Sequence, residues 1–404
     1  MMAEHLSRSE LDYPFKLLEY FNGFRVSKVI FSACELGVFD LLLRSPEPMS
    51  AQHVARELST SVDGTERLLD ALVGMEILEV ETSDGAAVYS STDVANLYLA
   101  RGSSKSLHDM IAYQSQTVYP LWNHLADAVR AIVLRRHPLL FPPRREGRNQ
   151  NEKAFGLPPE DIFQAVYRSE EEMLRFMGLM NSSWVLDGHD IATAFDLSGF
   201  QKIVDLGGCT GALAREMAKA YPSSSVTVFD LPQVVETALK HFPQEDAGAV
   251  RFLGGDFFSG ELPPADLYVL ARIIHDWPEE KCLALLKKLY DACKPDSWSA
   301  CTKLLFTGRT TRPCCSLLWT DSFSSPVSFV PAARRRRPCW VEALLFENRR
   351  GPVTAQIFSL NMLVQMEGRE RPPSGYTGLL NRTGFHDVQV CRTGKSYDAI
   401  LAVR

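Results

Sequence analysis

The chain has 404 residues, a length that allows two domains of ordinary size, and 46% of them are apolar, which excludes general disorder. Its net charge of −6 argues against a nucleic-acid partner. The opening residues, MMAEHLSRSELDYPF, have no apolar signal core, and no later run approaches the length of a membrane span. We therefore expect a cytoplasmic protein that binds no membrane. The nine cysteines show no CxxC pair and no metal-like spacing, so we expect reduced thiols.

The first predicted element is a single helix over residues 14–42, with the sequence PFKLLEYFNGFRVSKVIFSACELGVFDLL. Its apolar residues occupy more than one face, whereas a helix on the surface of a monomer shows a narrower stripe. We therefore expect this helix to pack against another subunit, which predicts a homodimer.

Two short amphipathic helices with a turn at Thr60–Gly64 come next, and a hairpin, ILEVETSDGAAVYSST, turns at Asp84-Gly85. Helix, turn, helix and hairpin together predict a winged helix, a fold that often binds DNA. The candidate recognition helix, DGTERLLDALVGM, has three acidic residues, one Arg and no Lys, so it would repel phosphate. We interpret residues 1–115 as a winged-helix-like dimerisation domain and residues 116–189 as a helical linker region.

From about residue 190 to 404 the pattern changes to alternating strands and helices. Four short apolar or β-branched runs are separated by helical stretches, which predicts an α/β fold with a parallel, doubly wound, Rossmann-like sheet. Such sheets bind ligands at the carboxyl ends of their strands. The runs are KIVDL (202–206), SVTVF (225–229), VRFL (250–253) and DLYVL (266–270).

The ends of the first two strands carry residues suited to a nucleoside ligand. Asp205 is followed by Gly207, Gly208 and Gly211, and glycines let the backbone approach a ligand at the start of a helix. Asp230 ends the second strand, where its carboxylate is placed to accept hydrogen bonds from both ribose hydroxyls. A glycine loop alone is a weak signal, since a dehydrogenase also has one.

The end of the third strand adds an adenine site. Gly255 is followed by Asp256, an acceptor for an amino group, and by Phe257, an aromatic face. The pyrophosphate fingerprint GxGxxG would require glycine at position 206, which is Leu206. The expected ligand is therefore an adenosine without a diphosphate bridge, and S-adenosylmethionine fits this description.

The order of these motifs, DLGGCTGALA, VFDLP, GDFF and ARIIHDW, resembles the small-molecule O-methyltransferases that carry an N-terminal dimerisation domain. The resemblance covers residues 14–296 and 341–404 and identifies 190–404 as a methyltransferase domain. It implies S-adenosylmethionine as cofactor, a small aromatic hydroxyl substrate and no metal. Within the family the likeness is to members that convert N-acetylserotonin to melatonin. Another phenol or hydroxyindole, or an impaired cofactor-binding homologue, are the alternatives.

The motif ARIIHDWPEE places His275 and Asp276 side by side at the end of the fourth strand. A histidine there is often only structural. Methyl transfer from a sulfonium, however, requires the acceptor oxygen to lie in line and to lose its proton. A neutral imidazole, with a pKa near 6.5, can take the proton of a phenol as the oxygen becomes nucleophilic. We therefore expect His275 to be the general base and Asp276 to contact the acceptor.

The resemblance extends to further positions, residue by residue. It implies that Glu342 and Glu370 hold the histidine and that Asn361 and Gln365, in FSLNMLVQMEGRER, contact the substrate. Without the resemblance, Trp184 would be assigned to the core and the two amides to a solvated helix face. The cofactor contacts that it implies are Tyr167, Trp184, Asp230, Gly255, Asp256, Phe257 and Arg272.

Two segments depart from the family pattern. Residues 131–145, AIVLRRHPLLFPPRR, interrupt a helix and loop, and residues 297–340 stand where the family has a glycine-rich turn and strand five. The second segment has seven Lys or Arg and one acid, and its RRRR run has a nuclear or nucleic-acid interpretation. We favour an insert that was not selected for the fold. Unless CTKLLFT or WVEALLF fills the buried strand position, we expect weak methyl transfer.

Overall fold

The computed structural model describes residues 13–83, 85–136, 150–156, 163, 166–242, 250–293 and 337–404. The N-terminal helix is divided, so the prediction of a single helix over 14–42 is wrong. Helix α1 (Phe15–Leu36) ends where Gly37 adopts a left-handed φ of 82°, and α2 (Val38–Arg44) follows. The N–H of Gly37 caps the carbonyl groups at the end of α1, as glycine commonly does.

The predicted winged helix is present in the dimerisation region. Ser50 and Ser61 accept hydrogen bonds from the first-turn N–H groups of two helices, which fixes where those helices begin. The hairpin turns at Gly85, whose φ is 79°, and a two-residue strand completes an antiparallel sheet of order β1-β3-β2. The elements are β1 (Met49–Ser50), α3 (Ala51–Leu58), α4 (Val62–Gly74), β2 (Leu78–Ser83) and β3 (Ala86–Ser91).

Helices connect the two regions. The last of these helices, Glu170–Ala192, continues past residue 189, where the predicted linker region ends and the methyltransferase domain begins. The predicted division into domains therefore stays a prediction. The helix over Leu125–Arg136 contains the first residues of the predicted insert at 131–145. The rest of that insert, from residue 137, lies outside the described residues, as do the residues up to 149. The helices are α5 (Asp93–Tyr98), α6 (His108–Tyr113), a π-helix (Gln114–Val118), α7 (Tyr119–Trp122), α8 (Leu125–Arg136), α9 (Asn151–Phe155) and α10 (Glu170–Ala192).

The C-terminal region forms a seven-stranded sheet of order β6-β5-β4-β7-β8-β10-β9. Strands β4 to β8 are parallel to one another, which confirms the doubly wound α/β fold. The sheet is mixed, because β10, which was not among the predicted strands, runs antiparallel to both β8 and β9. The strands are β4 (Lys202–Leu206), β5 (Ser225–Asp230), β6 (Val250–Gly254), β7 (Leu267–Ala271), β8 (Arg337–Glu342), β9 (His386–Cys391) and β10 (Asp398–Val403).

Apolar side chains fill both faces of this sheet, between the strands and the helices that connect them. Within the described residues, no helix is both long and apolar enough to cross a membrane. The thiols of Cys34, Cys209, Cys282 and Cys339 are free. The helices are α11 (Ala212–Ala220), α12 (Pro232–His241), α13 (Glu279–Ala292), α14 (Val353–Gln365) and α15 (Pro373–Thr383), with a 3-10 turn at Ile274–Asp276.

Strand β8 fills the position beside β7 that the sequence left in doubt. Residues 267–271 of β7 pair in parallel with 337–341, and Trp340 and Val341 are almost completely buried. The predicted insert boundary at residue 340 is therefore wrong, because 337–340 are strand residues. Of the two candidate segments, WVEALLF supplies the end of this strand, Trp340 to Glu342. The other candidate strand, CTKLLFT at 301–307, lies outside the described residues.

Candidate active site

A cavity lies at the carboxyl ends of β4 to β7, where the sequence predicts the ligand. Aromatic rings form much of its wall, and polar groups from the strand ends face into it. A concave pocket with aromatic walls and a few convergent polar groups is typical of a small-molecule site. The predicted residues that line it are Tyr167, Gly207, Asp230, Asp256, Phe257, Arg272 and Asp276.

The glycine loop after β4 brings the backbone to the cavity. Gly207 has a φ of 73°, and a Cβ atom there would lie 2.5 Å from Cδ1 of Ile273. A Cβ on Gly208 would lie 2.6 Å from Oδ2 of Asp205. Side chains at either position would therefore displace the loop, whereas Gly211 begins α11 in a left-handed conformation.

Two buried carboxyl groups lie beneath this loop. Burial, with the nearby charge of Asp230, raises the pKa of Asp205 to about 7, and neither oxygen of Asp205 has a partner. Burial also raises the pKa of Asp230 to about 6, although the N–H groups of Cys209 and Leu231 donate to its oxygens at 2.9 and 2.7 Å. Each oxygen of Asp230 retains a second lone pair, so its assignment to a ribose stays a prediction.

The turn after β6 carries the predicted adenine site. The N–H of Gly255 donates to the carbonyl of Asp230 at 2.8 Å, which joins the turn to the end of β5. Burial opposes ionisation of Asp256, but hydrogen bonds from Ser259 and Phe258 outweigh it and lower its pKa. Asp256 is therefore an ionised acceptor at the cavity wall.

Arg272 leaves β7 with a φ of 59°, a conformation that is strained for a residue with a side chain. Its N–H donates to the carbonyl of Val341 at 2.8 Å, and its Nη1 donates to Sδ of Met180 at 3.1 Å. The Nε atom is buried and has no partner.

Trp184, which the resemblance assigns to the methionine part of the cofactor, lies in the core instead of on the cavity wall. The ring of Trp184 packs against the ring of Tyr397, with centroids 5.5 Å apart. The guanidinium of Arg272 lies over the Tyr397 ring, 5.1 Å from its centroid. In this structure Trp184 supports the site through Tyr397, and a direct contact with the cofactor stays a prediction.

His275 lies next to the cavity and is surrounded by carboxylates. Its Nδ1 is 2.6 Å from Oε1 of Glu370 and 3.8 Å from Oε2 of Glu342, and its Nε2 is 3.4 Å from Oδ1 of Asp276. Glu342 also accepts the N–H of Ile274 at 2.9 Å. The structure therefore brings together the expected base, the two carboxylates that were expected to hold it, and Asp276, which was expected to contact the acceptor. Asp276 lines the cavity, while His275 lies behind it and is 3% exposed.

The charges in this cluster are unbalanced, since three carboxylates face one imidazole. Burial alone would lower the pKa of His275, but the three carboxylates outweigh it and raise the pKa to about 10. Burial raises the pKa of Glu342 to about 8 and that of Asp276 to about 6. The cluster therefore holds extra protons at neutral pH and titrates as a unit.

The same cluster could hold a metal ion by geometry. Within the described residues, one ligand atom each from His275, Glu342 and Glu370 lies within 4.8 Å of the others. All three side chains are almost completely buried. Glu370 and Glu342 also lie beside the imidazole, and Glu342 accepts the N–H of Ile274. The expected absence of a metal stays a prediction.

The two amides that were assigned to the substrate lie on α14 but do not line the main cavity. Oδ1 of Asn361 accepts a hydrogen bond from Nε1 of Trp122 at 2.9 Å. Gln365 lines a smaller, neighbouring cavity, and its buried Nε2 has no partner. Two residues later, the N–H of Glu367 donates to the carbonyl of Asp276 at 3.2 Å, so the end of α14 reaches the base cluster. Substrate contact by either amide stays a prediction.

Several lining residues were not among the predicted site residues. Phe258 and Trp277 lie within the quoted motifs GDFF and ARIIHDW, and their rings meet edge to face at 5.0 Å. Cys209 lies inside the glycine loop with a φ of 54°, a position where a ligand-binding loop commonly has glycine. These three could have been found from their motifs. Met180 on α10 carries no sequence signal, because only the packing of α10 brings it to the cavity.

The comparisons with known proteins define the class to which this fold and site belong. Residues 138–305 and 338–386 match the family model of the O-methyltransferase domain, and residues 18–101 match the O-methyltransferase dimerisation domain. The chain belongs to the O-methyltransferase family.

Its relatives are similar over nearly their whole length. The acetylserotonin O-methyltransferase of Gallus gallus is 45% identical, with 98% of this chain and 99% of the relative covered, and that of Homo sapiens is 43% identical with the same coverage. A crystal structure of human N-acetylserotonin methyltransferase in complex with SAM superposes with a TM-score of 0.81 at 43% identity and covers 99% of both chains. PigF with SAH, at 22% identity and a TM-score of 0.75, shares the fold.

Proposed function

We propose that this protein transfers the methyl group of S-adenosylmethionine to the hydroxyl of N-acetylserotonin, giving melatonin. The observation that carries the proposal is a cavity lined by strand-end acids that adjoins His275 through Asp276. The high identity to acetylserotonin O-methyltransferases over nearly the full length supports this acceptor.

The residues present fit the methyl donor. The Gly207–Gly208 loop has no room for a Cβ atom, and both oxygens of Asp205 and the Nε of Arg272 are buried without partners. Asp230 would hold the ribose, Asp256 and Phe257 the adenine, and Tyr167 and Arg272 the methionine part. When bound, S-adenosylmethionine supplies a methyl group on a positively charged sulfur.

His275 would remove the proton of the acceptor hydroxyl. Its Nδ1–H donates to Glu370, which orients the ring and leaves Nε2 beside Asp276, a residue of the cavity wall. A phenol has a pKa of about 10, close to that of His275 in this cluster, so the two groups compete nearly equally for the proton. A positive charge entering the cavity lowers the pKa of His275 by repulsion, and the neutral base becomes more populated.

The cavity wall suits a flat aromatic acceptor. Phe163, Phe176 and Trp277 line it, and the Phe163 and Trp277 rings lie 5.4 Å apart. Asp276 is the polar group best placed to orient the acceptor beside Nε2 of His275. Another phenol or hydroxyindole remains the alternative acceptor. An impaired cofactor-binding homologue is the other alternative, and the strand β8 beside β7 argues against it.

The proposed active form is a homodimer. Helix α1 exposes several large apolar side chains in the isolated chain, and the dimerisation family covers most of this helix. DNA binding is disfavoured, since the first turns of α4 present Asp63 and Glu66 to solvent. A cytoplasmic location and the absence of a metal requirement are predicted on the sequence and the base cluster.

Turnover of S-adenosylmethionine with N-acetylserotonin, other hydroxyindoles and flavonoids tests the proposal. N-acetylserotonin should give the highest kcat/KM, and chelators should leave the rate unchanged. His275→Ala should lower the rate by roughly 10²–10⁴-fold and leave donor binding nearly unchanged by calorimetry. His53→Ala, on the exposed face of α3, is the control. Activity on none of these acceptors would refute the proposal, and loss of donor binding in His275→Ala would give His275 a structural role.

A further inference from the structure

The wall for the adenine is a tight turn over residues 256–260. Inside the turn, the N–H of Gly260 donates to the carbonyl of Asp256 at 2.7 Å. The Asp256 carboxylate accepts the N–H of Phe258 at 2.8 Å and the hydroxyl of Ser259 at 2.7 Å. The turn thus satisfies these donors itself, but the carbonyl groups of residues 257, 258 and 260 need donors from elsewhere.

One side chain supplies those donors. Nζ of Lys288 donates to the carbonyls of Phe257 at 2.8 Å and Phe258 at 3.0 Å, and also to the carbonyl of Gly260. An ammonium group has three N–H donors, so all of them are used here. Its positive charge also helps to lower the pKa of Asp256, after the hydrogen bonds within the turn.

The position of Lys288 makes it a firm support. It projects from α13, whose buried face, with Leu285 and Leu289 at 1% and 0% exposure, packs into the core. The turn itself follows β6, an edge strand that pairs only with β5 in the described sheet. The sheet therefore holds the turn from one side, and the lysine holds it from α13.

We propose that Lys288 is the positioning residue for the adenine site, and that it holds the carboxylate of Asp256 and the ring of Phe257 in their binding geometry. The inference rests on the proposed adenosyl donor. Without the ammonium group, three carbonyls lose their donors, and the turn moves relative to the cavity that its residues line. Lys288 touches neither donor nor acceptor, so its effect should appear in donor affinity and not in kcat.

The test compares Lys288→Met with Lys288→Arg and with Lys287→Met. Lys287 is the neighbouring lysine, is 58% exposed and pairs with Asp291, so it is a matched control. Lys288→Met should weaken S-adenosylhomocysteine binding by on the order of tenfold, since it removes hydrogen bonds from a charged donor. The KM for S-adenosylmethionine should rise with kcat nearly unchanged. Lys288→Arg should restore part of the affinity, and Lys287→Met should match the parent.

A second ligand separates positioning from general destabilisation. S-inosylhomocysteine lacks the adenine amino group that Asp256 would accept, so the parent should discriminate against it. Lys288→Met should lose most of this discrimination. Equal affinity of Lys288→Met and the parent for S-adenosylhomocysteine, or equal weakening for both ligands, would overturn the inference. If the parent itself binds no S-adenosylhomocysteine, the proposed function fails and the inference fails with it.

Discussion

Replacing Glu342 by Gln should stabilise the folded protein while impairing catalysis. Glu342 is completely buried, one of its oxygens has no partner, and its pKa is raised from 4.5 to about 8 by burial. The folded state therefore binds this proton more tightly than the unfolded state. The contribution of Glu342 to stability is greatest below pH 4.5 and falls as the pH rises towards 8, because the carboxyl group of the unfolded chain ionises over this range while the buried one stays protonated.

The size of the effect follows from the shift. From 4.5 to about 8 is roughly 3.5 pKa units, and each unit corresponds to about 1.4 kcal/mol, so ionisation costs on the order of 4 kcal/mol at pH 8. Gln carries no charge and its oxygen still accepts the N–H of Ile274. The gain in unfolding free energy should be below about 1 kcal/mol at pH 5 and near 4 kcal/mol at pH 8.

Denaturant titrations at pH 5 and pH 8 measure this difference, with methyl transfer assayed in parallel. The rate should fall, because the variant lacks a carboxylate that stabilises the imidazolium formed when His275 takes the proton of the acceptor. Glu347→Gln is the control: this exposed carboxylate accepts two hydrogen bonds from Ser374, which lower its pKa, so its loss should not stabilise. A Glu342→Gln variant that is less stable than the parent at pH 8 would show that the ionised carboxylate is favourable, and the reasoning would be wrong.

Two further changes test other parts of the proposal. Asp230→Ala should cost about 1–3 kcal/mol of S-adenosylhomocysteine binding by calorimetry, because it removes the acceptor for the ribose hydroxyls; unchanged binding would remove Asp230 from the site. Phe21→Asp with Phe24→Asp should give monomers by light scattering at micromolar concentration, since these exposed rings would lie in a dimer interface of at least about 2,000 Å². A dimer that persists would place the interface elsewhere.

The ligand-binding edge of the sheet could be predicted from the sequence. Each strand end carries its own signal within a few residues, such as the glycines after β4 and Asp256 after β6, and parallel strands bring their carboxyl ends to one edge. These signals depend on the hydrophobic periodicity of each strand and on the residues of the turn that follows it. They can therefore be recognised without knowing the tertiary structure. The helix break at Gly37 had such a signal too, but the apolar residues on both sides concealed it.

Contacts between segments that are far apart in the chain could not be predicted in this way, because they depend on packing. Residues 337–342 pair with β7 and complete its backbone hydrogen bonds. No local pattern in the sequence shows which of the two candidate segments does so. Sequence resemblance suggested that Glu342 and Glu370 serve His275, but the excess of negative charge appears only when the three side chains are buried together. In the sequence, Lys288 is likewise only one of several charged residues on an amphipathic helix. Its role depends on a turn some thirty residues earlier, which only packing brings within reach of its ammonium group.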